Sequence, residues 1–140
     1  MNPVDMPDLV AFTNDVTAAL APLTHLPKLR GLAIYHHTTI LYLHTDSDPG
    51  PWTRLLSLAQ WAYAFNTPVK ISLSYDGEDA DAVVRFELGG RPVRIAERLN
   101  TAHAYELGKE LGLPLSKDTS ITLLPASLQE FIAGRTAATS

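Results

Sequence analysis

Cysteine is absent from the 140-residue chain. Its absence excludes disulfides, thiolate catalysis, iron–sulfur clusters and cysteine-ligated zinc, and it fits a reducing compartment. No segment approaches the ~18 consecutive apolar residues of a membrane span. The first ten residues, MNPVDMPDLV, lack the basic region and apolar run of a signal peptide. A cytoplasmic protein with no membrane contact is therefore expected. Basic residues are in the minority, with 11 Lys and Arg against 15 Asp and Glu and a net charge of −4. That balance argues against sequence-independent coating of nucleic acid. Familiar reaction signatures are missing too: there is no Gly-x-Ser-x-Gly elbow, no P-loop and no His-Glu-x-x-His.

What is present is an ordinary globular composition, 46% hydrophobic and 19% charged. It predicts one domain over residues 1–134 followed by a frayed tail, 135–140. Leu9, Phe12, Val16, Ala19, Leu20 and Leu23 recur at helical spacing and predict a helix from Pro7 to Leu23. Two strands follow, Leu29–His36 and Ile40–Thr45. With Thr38 and Thr39 as turn centre, Tyr35 faces Tyr42 and Ile34 faces Leu43. Leu32, Ile34, Leu41 and Leu43 then share one face, and Tyr35, His37, Tyr42 and His44 the other. A second helix, Trp52–Phe65, is apolar over most of its circumference, which calls for cover on more than one side. Val69–Tyr75 alternates as a strand. Gly77–Asp81 reads as an acidic loop. Asn100 caps a helix, Thr101–Leu111, and a short strand, Ser120–Leu124, and a small helix, Ser127–Ala133, close the chain.

The strongest local signal is Val83–Ala96, VVRFELGGRPVRIA. Gly89-Gly90 supplies the positive φ of a tight hairpin turn. In that register Leu88 faces Arg91, Phe86 faces Val93 and Val84 faces Ile95, which places Arg85 directly opposite Arg94. Like charges so placed repel, and they ask for an acidic neighbour or an anionic ligand. Pairing Leu73 with Val84 extends the row to Ser72, Arg85 and Arg94, with Lys70 facing Glu87. Lys70, Ser72, Arg85 and Arg94 thus form a candidate face for an anion or a nucleic acid, unless Glu87 and Glu97 neutralise it.

The element order is α-β-β-α-β-β-β-α-β-α. Without βαβ alternation it predicts an α+β domain, an antiparallel sheet of about five strands with packed helices. Over residues 5–111 the order helix, hairpin, helix, three-strand meander, helix resembles that of roadblock and profilin-like domains. Adjacent His36 and His37 point to opposite strand faces, and His37 and His44 lie far apart, so no metal site converges on them. Nothing in the residues calls for a cofactor. Asp46 and Asp48 suit a helix start as well as a cation.

Two surfaces suit a protein partner: Leu58, Trp61 and Phe65 on the wide helix, and Tyr35, Tyr42, His37 and His44 on the first hairpin. The leading expectation is a non-catalytic adaptor or regulatory domain that binds a protein, a second copy of itself included. The alternative is a phosphate-bearing ligand or nucleic acid on the polar sheet face. The third is a small enzyme with a polar site near His37, His44 and Asp46.

Overall fold

A computed structural model of the chain describes residues 6–35, 38–43, 50–73, 78–113, 115–116 and 119–138. The elements are α1 (Met6–Leu20), β1 (Leu29–Tyr35), β2 (Thr38–Leu43), α2 (Pro51–Ala64), β3 (Val69–Leu73), β4 (Asp79–Leu88), β5 (Arg91–Asn100), α3 (Thr101–Glu110), β6 (Ile121–Leu123) and α4 (Pro125–Ala138). This is the expected order. Several boundaries move: α1 ends at Leu20 rather than Leu23, Thr38 and Thr39 belong to β2 rather than to a turn, Asp79–Asp81 belong to β4 rather than to a loop, and α4 runs from Pro125 to Ala138 instead of from Ser127 to Ala133. Among the described residues no helix is long and apolar enough to cross a membrane.

The ladder at the centre of the sheet follows from its turn. Gly89 and Gly90 have φ of 58° and 75°, the left-handed pair that a two-residue hairpin with right-twisted strands requires. The register is the expected one, with Leu88↔Arg91, Phe86↔Val93, Arg85↔Arg94 and Val84↔Ile95, and it runs on to Asp79↔Asn100. Asn100 then ends the strand and caps α3, its side chain accepting a hydrogen bond from the His103 amide at 3.2 Å.

The sheet has six strands in the order β1-β2-β5-β4-β3-β6 and is mixed, not antiparallel. The exception is β2 against β5, parallel through Thr39↔Val93, Ile40↔Arg94 and Leu41↔Ile95. The reason lies in the connections. Helix α2 carries the chain back, so β3 sets out in the direction of β2. Two antiparallel pairings, β3 with β4 and β4 with β5, then give β5 that same direction.

Two registers differ from expectation. Strand β3 pairs as Lys70↔Val83, Ile71↔Ala82 and Ser72↔Asp81, so Lys70 does not face Glu87 and Ser72 does not face Arg85. Strand β1 pairs as Tyr35↔Thr38 and Ile34↔Thr39, so Tyr35 does not face Tyr42. Each slip is four residues. An even slip leaves every side chain on its original face, and the division into faces survives.

That division is one-sided. Leu41 and Leu43, Val69 and Ile71, Ala80, Ala82 and Val84, and Val93, Ile95 and Leu99 are buried on one face, joined in a single core by side chains from all four helices. On the other face none of the described side chains is buried. Helix α2 lies in this core with Leu55, Leu58 and Ala59 fully buried, and α4 covers it with Leu128 and Ile132. This is the double cover that its apolar circumference requires. Trp61 donates its indole N–H to the Pro27 carbonyl at 3.0 Å and stacks with Phe65 and Phe86 at centroid distances of 6.1 and 6.3 Å. Leu58, Trp61 and the half-buried Phe65 are therefore core, not a docking stripe. Phe86, on the inner face of β4, occupies the space that a partner would have filled.

Helix α1 seats Phe12 and Val16 in the core and ties itself to the hairpin turn. Arg91 reaches Asp15 at 3.1 Å and lies over the Phe12 ring at 4.9 Å. A Cβ on Gly89 would sit 2.6 Å from the Asp15 carbonyl oxygen, whereas one on Gly90 meets nothing within 4 Å. Gly90→Ala is expected to cost roughly 1 kcal/mol of unfolding free energy through its backbone conformation alone. Gly89→Ala should cost more, because α1 must also move. Urea denaturation of the two variants separates the terms, and equal losses would mean that α1 yields freely. In the same assay Trp61→Ala is expected to lose about 3–5 kcal/mol, and Tyr63→Ala, 64% exposed on the same helix, no more than about 0.5 kcal/mol.

Candidate binding surfaces on the open sheet face and at its end

The helix-free face is a grid set by the registers. Across its middle run Ala33, Ile40, Arg94 and Arg85. Beside them lie Gly31 with Tyr42, and Ala96 with Val83 and Lys70. The next row is Arg98, Asp81 and Ser72. Of the predicted anion face, Arg85, Arg94 and Lys70 stay neighbours, Lys70 standing diagonally to Arg85. Ser72 leaves the group and sits beside a carboxylate instead. The slipped register of β3 is the cause.

The expected neutralisation takes a different form. Glu97 is on the opposite face, where it pairs with Arg54 of α2, and does not approach Arg94. Asp79 and Asp81 pair with Arg98, each at 3.7 Å. Arg98 is exposed, so these pairs stabilise little. Among the described residues no ion pair reaches Arg85 or Arg94. The Arg94 Nε is shut off from solvent and has no hydrogen-bond partner. A guanidinium N–H can only donate, and leaving a buried donor unpaired costs about 1–3 kcal/mol.

Tyr42 stands diagonally to Arg94, and Tyr35 lies two strands from it on β1. Tyr35 is 65% exposed and Tyr42 38% exposed, with the Arg30 guanidinium 5.7 Å from the Tyr42 ring centroid. Their partners in the predicted hairpin surface, His37 and His44, lie outside the described residues, as do His36, Asp46, Asp48, Tyr75 and Gly77. The polar site near His37, His44 and Asp46 thus has no described geometry. Among the described residues no three His, Asp or Glu side chains converge as metal ligands.

A second feature has no counterpart in the sequence reading. Strand β2 ends at Leu43, level with Glu97, while β5 continues to Asn100. On its β2 side the end of β5 therefore has no strand beside it among the described residues, and a cleft of about 850 Å³ opens there. Arg30 of β1, Tyr42 of β2, Arg54 of α2, Asp79 of β4, and Glu97, Arg98 and Asn100 of β5 line it. Arg30 stands at the irregular step between Leu29 and Gly31 where the β1 ladder shifts register. The sequence did carry a signal: Glu97 is an acid at an inward position between Ile95 and Leu99, and Arg54 is a lone cation in an apolar helix.

Glu97 has a side chain only 15% exposed, with Arg54 Nε 3.8 Å from its Oε2. Burial pushes its carboxyl above the ordinary value of 4.5, against the opposing pull of Arg54 and Arg30. The folded chain thus keeps the Glu97 proton to higher pH than the unfolded chain does. Its contribution to stability is complete below the unfolded value and is lost as pH rises through the folded one. The stability of the wild type relative to Glu97→Gln should therefore fall as pH rises above the ordinary value of 4.5 and through the raised folded one, measured by urea denaturation at each pH. A difference that stays constant would mean that folding leaves Glu97 unperturbed.

Comparison with protein-family models, with curated proteins and with solved structures returned no match, so the likeness to roadblock and profilin-like domains rests on element order alone.

Proposed function

We propose that the protein is a non-catalytic interaction module that pairs with a second copy of itself through the open face of the sheet. One observation carries this reading. Arg94 and Arg85 stand directly opposite each other, with no ion pair to either among the described residues, on a face where none of the described side chains is buried. The surroundings suit a protein surface: Tyr35, Tyr42, Ile40, Ala33, Ala96 and Val83 supply apolar area around the two arginines. Aromatic and arginine side chains are the residue types enriched at such contacts.

The face also carries both signs of charge, with Arg98 between Asp79 and Asp81 at one end and Glu87 beyond Arg85 at the other. Asp79 and Asp81 stand at one end of β4, and Arg85 stands toward the other. In a two-fold interface the same patch meets itself, with residue i touching j and j touching i. Two such faces laid head to tail bring the aspartates of one copy over the arginines of the other. The net charge of −4 opposes association at long range and is screened at physiological salt.

Light scattering and sedimentation equilibrium test this directly. The wild-type chain is expected to be a dimer. The double variant Arg85→Glu/Arg94→Glu should be a monomer with an unchanged circular dichroism spectrum. Mixing it with Asp79→Lys/Asp81→Lys should restore a heterodimer. A wild type that stays monomeric at every concentration, or a double variant that still dimerises, overturns the reading. Salt-dependent binding of a single-stranded oligonucleotide, lost in Arg85→Glu, would put the nucleic-acid alternative in its place.

A further inference from the structure

We propose that the cleft at the end of β5 binds a small zwitterion of the amino-acid class, its carboxylate on Arg30 and Arg54 and its ammonium on Glu97. The two charge signs in this cleft come from four chain segments that only the fold brings together. Arg30, Arg54 and Arg98 supply positive charge, and Glu97 and Asp79 supply negative charge. A purely anionic ligand would meet two carboxylates there, and a purely cationic one three guanidiniums. A ligand with both signs on adjacent atoms satisfies both.

The spacing supports this. Arg54 Nε and Glu97 Oε2 are 3.8 Å apart, well beyond the roughly 2.7–2.9 Å of a charge-assisted hydrogen bond. A carboxylate placed on Arg54 and an ammonium placed on Glu97 replace that long contact with two short ones. Arg30 reinforces the carboxylate side, since its charge already acts on Glu97. Its planar fork suits two-point recognition of a carboxylate.

The surroundings suit a small molecule. The cleft's volume of about 850 Å³ falls within the roughly 300–1,000 Å³ of ligand sites. Tyr42 and Leu99 provide an apolar wall for a side chain, and Asn100 a further polar group. Beyond Ile95, the edge of β5 toward β2 has no strand pairing among the described residues, so backbone groups on that edge also face the ligand. The Arg85–Arg94 pair does not line the cleft, which shares Tyr42, Asp79 and Ala96 with the open face.

Isothermal titration calorimetry on the full chain, with the common amino acids offered singly, tests the proposal. At least one is expected to bind. The amine made by removing its carboxylate and the acid made by removing its ammonium should each bind at least tenfold more weakly, because each lacks one charge-assisted hydrogen bond. Arg30→Ala and Glu97→Gln should each weaken binding by a similar factor. Arg30 is exposed, so its variant should melt like the wild type, which keeps a binding loss distinct from a folding loss. Binding by no amino acid overturns the proposal. So does equal binding of the ammonium-free acid, or displacement of the amino acid by inorganic phosphate at equal concentration.

Discussion

The long hairpin of β4 and β5 is the element on which the rest of this structure depends. Its two glycines set a ten-residue register from Leu88↔Arg91 to Asp79↔Asn100. Each outer strand then docks on one side of that ladder, β3 on β4 and β2 on β5. Helix α1 closes against its turn through Arg91 and Asp15, and α3 starts from its last residue, Asn100. The core is built on one of its faces, where alternate residues are Ala, Val, Phe and Leu on β4 and Val, Ile and Leu on β5.

One-sided packing has a direct consequence for function. All four helices contribute to a single core, so the opposite face of a six-stranded sheet stays available. A bare antiparallel ladder with polar side chains is comfortable in water. The pair Arg85 and Arg94 is the exception on this face, because the sheet crowds two cations together and shields the Nε of one. The same geometry that aligns the hairpin holds these two like charges side by side.

The cleft has a different origin, a mismatch in length. Strand β5 outruns β2, and the parallel pairing of the two leaves the end of β5 open where β1, α2 and β4 also arrive. Glu97 is held at an inward position of β5, opposite Ala82 and beyond the last residue paired with β2. Its burial, with Arg54 and Arg30 nearby, follows from that position.

Local features were legible in the chain itself. The ten elements and their order, the Gly89-Gly90 turn, the Asn100 cap and the division of strands into inner and outer faces all follow from residue type and spacing, since each depends only on near neighbours. The tertiary structure decided the rest. It brought β2 alongside β5 in parallel and shifted two registers by four residues, which broke the Ser72–Arg85–Arg94 row but left every side chain on its face, because strand side chains repeat every two residues. It placed Trp61 and Leu58 in the core by stacking Phe86 and α4 against α2. And it assembled Arg30, Arg54 and Glu97, distant in sequence, into one cleft. No local pattern encodes that meeting, because the free energy that brings these residues together comes from burying the common apolar face.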